Sequence, residues 1–175
     1  GAKQSIYQSL LLLCNPGDSV VIFKPYWTSY PDMIKLVGGK VIIIEEISEL
    51  KNISAKVIII CNPNNPSGYV YSHEEMVQIS SYAKKMGAFI ISDEIYERID
   101  YDKKHLSMAQ FYSKTFTING FSKIYSMMGY RLGYAAVPKE YVAGLIKIQS
   151  QITSCPGILS QEAGIAALKL PDQVI

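Results

Sequence analysis

Val57-Ile58-Ile59-Ile60-Cys61, followed at once by Asn62-Pro63-Asn64-Asn65-Pro66-Ser67-Gly68, is the stretch on which the fold turns. The apolar run has neither the alternation of a half-exposed strand nor the length of a helix. It reads as a strand covered on both faces, the habit of parallel sheets. The prolines, asparagines and glycine behind it end the strand in an irregular loop. Just downstream, Ser72-His73-Glu74-Glu75 has the pattern of a capping box, in which Ser72 accepts from the first turn and Glu75 reaches back. Met76, Ile79, Ala83 and Met86 then share one helical face, and Gly87 can close the helix.

The same alternation continues in both directions. Ser19–Phe23 is a short β-rich run, and residues 41–44 upstream and 88–91, 115–119 and 132–137 downstream read as further buried strands. Helical patterns cover residues 3–13 and about 28–37. A further one has Pro138 in its first turn and the face Tyr141, Leu145, Ile148 and Ile152, and a last one follows Pro156-Gly157. This order predicts an α/β layer fold with a mostly parallel sheet, in which ligands sit beyond the carboxyl ends of the strands.

Composition narrows the function classes. The chain has 175 residues, one domain's worth, and with 49% hydrophobic and 18% charged residues it is not a disordered sequence. Seventeen basic against fifteen acidic side chains leave a net charge of +2, too little to argue for a nucleic-acid partner. No apolar run approaches the roughly 18 residues of a membrane span. Cys14, Cys61 and Cys155 are odd in number and widely spaced, which is a poor disulfide framework and fits a reducing compartment. His73 and His105 have no Cys or carboxylate at ligand spacing, which speaks against zinc. Asn52-Ile53-Ser54 matches a glycosylation acceptor, a triplet common by chance. The start at Gly1, with a helical pattern at once, raises the expectation of a piece of a longer chain.

The residues after the strands carry the chemistry. Asn65 stands in the loop after residue 61, and Asp93 and Tyr96 follow the strand at 88–91, where a buried carboxylate needs a cationic or donor partner. Lys123 follows the strand at 115–119 among apolar and small residues. A lysine desolvated there would have a lowered pKa and serve as an amine nucleophile. Arg131 and Arg98 are the only arginines beside fifteen lysines, which suggests a geometric task such as bidentate anion recognition for Arg131.

Residues 120–133, with Asn65-Pro66-Ser67-Gly68, Asp93 through Tyr96, Pro25-Tyr26-Trp27 with Tyr30-Pro31, and Gly1-Ala2-Lys3-Gln4, resemble the fold-type-I pyridoxal-phosphate aminotransferases, in the branch of bacterial-type aspartate aminotransferases. The resemblance runs in order over nearly the whole chain. It implies a three-layer α/β/α sandwich, the large cofactor domain of that fold. Residues 1–175 would be an incomplete PLP-binding domain lacking its N- and C-terminal parts, with 156–175 leading toward a C-terminal small domain.

By the same resemblance Lys123 would bind pyridoxal 5'-phosphate as a Schiff base and shuttle the substrate proton. Asp93 would pair with the pyridine nitrogen, Asn65 and Tyr96 with the phenolic oxygen, and Trp27 would stack on the ring. The phosphate would lie at Gly1, Ala2 and Lys3, where a helix starts, with Arg131 and Ser122. Gly120 stands where many relatives place a phosphate-binding serine.

The implied reaction moves an amino group from an L-amino acid, aspartate first, to 2-oxoglutarate, in a cytoplasmic homodimer. The arginine for the substrate α-carboxylate and a partner-subunit tyrosine would lie outside these residues. A C–S lyase of the same fold, or a non-catalytic fragment retaining it, is the alternative.

Overall fold

The computed structural model describes residues 1–101 and 105–171. The order is α1 (Ala2–Leu13), β1 (Ser19–Phe23), α2 (Ser29–Leu36), β2 (Lys40–Ile44), β3 (Val57–Cys61), α3 (His73–Met86), β4 (Phe89–Asp93), β5 (Thr115–Gly120), β6 (Gly133–Ala136), α4 (Lys139–Ile152) and α5 (Ile158–Ala167). Short 3-10 turns occupy Ile47–Asn52, Met108–Gln110 and Met128–Tyr130. The strands form one sheet in the order β2-β1-β3-β4-β5-β6. All neighbours are parallel except β5 and β6, which pair antiparallel with Gly120 opposite Gly133.

Alternation of side chains along each strand divides the core in two. On one face Val20, Ile22, Ile59, Ile91 and Ile118 pack under Ile6 and Leu10 of α1, Tyr30 and Ile34 of α2, and Tyr141 and Leu145 of α4. On the other, Val21, Ile58, Ile60 and Ile90 meet Met76, Ile79 and Ala83 of α3. These are the expected helix, sheet and helix layers. The capping box at α3 forms as read: Glu75 N donates to Ser72 Oγ at 3.3 Å, Ser72 N donates to Glu75 Oε2 at 2.8 Å, and Gly87 closes the helix at φ 68.

Several boundaries differ from the sequence reading. Residues 41–44 are as apolar as β3, yet β2 is an edge strand and only Ile44 is buried. The strand expected over 132–137 is the shorter β6, antiparallel and alternately half-buried and exposed, as suits the opposite edge. Pro138 is the N-cap of α4 rather than part of its first turn. Strand β4 runs on to Asp93, pairing Cys61 with Asp93 and Asp93 with Ile118, so this carboxylate ends a strand instead of starting a loop.

The chain reverses its direction across the sheet between β1 and β3, since β2 lies on one side of β1 and β3 to β6 extend on the other. The connections leaving β1 and β3 diverge there and open a crevice at the carboxyl ends of the strands.

Candidate active site

That crevice holds a cavity of about 170 Å³ lined by every residue to which the resemblance gives a catalytic or cofactor-binding role except Gly1. Ala2 and Lys3 come from the first turn of α1, Trp27 from the connection after β1, Asn65 from that after β3, Asp93 and Tyr96 from the end of β4, and Ser122, Lys123 and Arg131 from the segment joining β5 to β6. Ile6, Cys61 and Ile95 complete the wall.

Because Phe89 and Ile91 face α1 and α2, period-two alternation sends Asp93 to the same side. Its Oδ2 accepts from Tyr30 Oη at 2.7 Å and its Oδ1 from the Ile95 amide at 3.4 Å. Burial pushes its pKa up to about 6, against the opposing pull of the Tyr30 hydroxyl, the Ile95 amide and the Lys123 charge. Ser92 and Glu94 face the other way. Glu94 Oε1 accepts from Ser92 Oγ at 2.7 Å, Ser107 Oγ at 3.0 Å and the Met108 amide at 3.2 Å, which ties the chain at 107–108 to the end of β4. Its Oε2 lies 3.7 Å from His105 Nε2, so folding supplies a carboxylate neighbour for His105 that spacing does not show. Glu97 joins them, with ligand-type atoms of all three within 4.8 Å.

Lys123 is exposed at the mouth of the cavity, its Nζ 5.5 Å from the Tyr96 ring centroid. The expected desolvation is absent. Position, facing Asp93 and Tyr96, is what distinguishes this lysine. Asn65 Nδ2 approaches Tyr96 Oη at 3.5 Å, which brings the two together as expected. Trp27 is half-buried, edge-on to Tyr30 at 5.4 Å, with Lys3 Nζ 4.7 Å from its ring centroid.

At the other end of the cavity α1 begins. Gln4 and Ser5 donate to the Gly1 carbonyl, while the earlier amides of Ala2 and Lys3 have no intrahelical acceptor and meet an anion favourably. Gly1 stands behind this turn, close to the Arg131 guanidinium: a Cβ on it would lie 3.1 Å from Arg131 Nη2. Arg131 has a left-handed backbone (φ 54) and donates from Nη1 to the Met128 carbonyl at 2.7 Å, which orients it toward the cavity it lines.

Two contributors escape a reading of the sequence. Tyr30 stands near Trp27 with no role evident from the chain, and its separation from Asp93 by 63 residues hides the contact. Cys61 lines the floor as a neutral thiol, pushed by burial up to about 12.

The arrangement joins an amine, a buried carboxylate, an aromatic face and a helix N-terminus with a guanidinium beside it. Comparison with known proteins identifies the relatives of the chain as a whole. The family model for aminotransferases of class I and II matches residues 1–175. A bifunctional aspartate aminotransferase and glutamate/aspartate-prephenate aminotransferase of Petunia hybrida is 43% identical over 97% of this chain and 39% of its own length. An aspartate aminotransferase of Geobacillus stearothermophilus is 37% identical over 100% of this chain and 49% of its own. The crystal structure of the Thermotoga maritima aspartate aminotransferase superposes with a TM-score of 0.95 at 34% identity, over 99% of this chain and 50% of that one. That of the Thermus thermophilus aspartate aminotransferase with maleate gives 0.93 at 33%, over 97% and 48%. The chain thus spans half or less of each of these proteins.

Proposed function

The chain belongs to the class I and II aminotransferases, and from that premise we propose that the protein it represents transfers the amino group of an L-amino acid, aspartate first, to a 2-oxo acid such as 2-oxoglutarate, with pyridoxal 5'-phosphate in the cavity described. The residues fit that cofactor. Its phosphate suits the first turn of α1 with Arg131 and Ser122, its aldehyde suits an amine, and a basic ring nitrogen suits a buried carboxylate. When bound, the cofactor withdraws the electron pair left on the substrate Cα.

The side chains then divide the work. Lys123 would hold the cofactor covalently through Nζ, and its free amine would be the base placed to take the proton from the substrate Cα. Asp93 keeps the ring nitrogen protonated, Asn65 and Tyr96 hydrogen-bond the phenolic oxygen, and Trp27 covers a ring face. Ala2, Lys3, Ser122 and Arg131 hold the phosphate, with Gly1 giving the guanidinium room to approach.

Maleate, the dicarboxylate found with the Thermus thermophilus protein, supports a dicarboxylic substrate. We read residues 1–175 as part of the large domain, with 156–175 leading toward a small domain, because the matched relatives are about twice as long. A homodimer is supported by the exposed Ile146, Ile152, Ile158 and Leu159 of α4 and α5, which suit burial against further protein. Free Cys14, Cys61 and Cys155 favour a reducing compartment, the cytoplasm. Among the described residues no helix is long and apolar enough to cross a membrane.

The observation that carries the proposal is the convergence of Lys123, Asp93 and the start of α1 on one cavity. Borohydride reduction of the full-length protein with its cofactor is expected to abolish the near-visible absorbance and leave one mass tag, on the peptide containing Lys123. A tag on Lys3, or on no lysine, overturns the assignment.

A further inference from the structure

The geometry points to Tyr30 as a positioning residue that orients the Asp93 carboxylate and keeps it ionised before cofactor arrives. This rests on the role given to Asp93 above. Tyr30 does not line the cavity, so it acts through Asp93 and not on a ligand. It is 2% exposed, and a phenylalanine would fill the same place under the sheet, so the hydroxyl is the part that needs a reason. That hydroxyl has one proton, and it goes to Asp93 Oδ2 at 2.7 Å.

The donor is rigid. Tyr30 N donates to the Trp27 carbonyl at 3.0 Å, and the Trp27 ring stands edge-on to the phenol at 87°. With Oδ2 occupied, Oδ1 receives only the long 3.4 Å approach of the Ile95 amide among the described residues, and it is the oxygen left to serve the cavity. Among the described residues, the titratable groups that act on Asp93 are Tyr30 from α2, Cys61 from β3 and Lys123 from the segment after β5. Burial keeps both the phenol and the thiol neutral, so Tyr30 is a donor at every working pH, and of these three groups Lys123 is the cation.

The test is the carboxyl ¹³C titration of Asp93 in the full-length, cofactor-free protein, with the signal assigned by its loss in Asp93→Asn. Tyr30→Phe is expected to move the midpoint upward by about one to two pH units, the worth of a hydrogen bond to a charged group. 3-Fluorotyrosine at position 30 keeps the shape, is a stronger donor, and is expected to move the midpoint downward, so the inference stays testable if Tyr30→Phe does not fold. An unchanged midpoint in both proteins overturns it. Loading the wild-type protein with pyridoxal phosphate is expected to hold Asp93 ionised to lower pH. A titration unaltered by loading overturns the reading of Asp93 on which the inference rests, while the cofactor-free comparison still reports on Tyr30 itself.

Discussion

Gly133→Ala tests whether the start of α1 is the anion site. A Cβ at Gly133 would lie 2.5 Å from Ala2 N, 2.8 Å from the Gly1 carbonyl carbon and 3.0 Å from Asn119 O. All three are backbone atoms, so no side chain can rotate away. To recover the 3.4 Å of ordinary contact, the first turn of α1 must retreat by about 0.9 Å. A phosphate oxygen at about 2.9 Å from those amides would then be nearly 3.8 Å away, beyond hydrogen-bond range. One such bond to a charged group is worth about 1.5–3 kcal/mol, which corresponds to roughly 10- to 150-fold weaker cofactor binding. Overpacking itself costs about 1–3 kcal/mol of stability. The assay is cofactor titration by fluorescence on the full-length variant, with urea unfolding of the cofactor-free form. Gly129→Ala, on the same segment with nothing within 4 Å of its added Cβ, is the control and should match wild type. Lowered stability with affinity within two-fold of wild type would refute the anion site. No change in either quantity would refute the close packing of β6 on α1.

Asp93→Asn should lower the rate of Cα proton abstraction far more than it lowers cofactor affinity, read by substrate deuterium exchange against a binding titration. The same variant tests pH dependence. The folded pKa of Asp93, about 6, lies above its ordinary 3.8, so its contribution to stability is complete below 3.8 and lost as pH rises through 6. Urea unfolding of the cofactor-free wild type should therefore lose roughly 1–2 kcal/mol relative to Asp93→Asn between pH 5 and 7.5. Ser72→Ala removes the cap of α3 and should cost about 1 kcal/mol, read as a lower unfolding midpoint with unaltered cofactor binding. Residues 1–175 produced alone should not transaminate aspartate and 2-oxoglutarate in a coupled assay. Arg131 is assigned to the phosphate, and a substrate without a carboxylate clamp loses much of its orientation. Turnover comparable to the full-length protein would make Arg98 the first candidate for that clamp.

Periodicity and punctuation carry most of the fold. The box at Ser72 and Glu75 and the glycine at 87 announce α3 because caps are local chemistry, complete within a few residues. Edges are not local. Residues 41–44 read like residues 57–61, and only the crossover that places β2 outside β1 tells them apart. The site divides along the same line. Lys123, Asp93, Asn65 and Arg131 stand within reach of strand ends and can be named from the chain, whereas Tyr30 and His105 take their meaning from partners that folding delivers. The exposure of Lys123 is not legible in the chain, because apolar sequence neighbours do not determine what covers a side chain in space.

The meeting of Ala2 with Gly133 has a further consequence, for the order in which the molecule is made. Synthesis delivers Lys123 before the chain that seals the cavity beside it, and the first turn of α1 must wait until β6 exists to pack against it. Closing so long a loop carries a larger entropic cost than any neighbouring strand pairing in this sheet. Cofactor capture thus marks a chain threaded from α1 to β6. A polypeptide released before β6 would carry Lys123 with half a cradle, open to proteolysis, and a ligand of the cavity would rescue only those molecules that had reached β6.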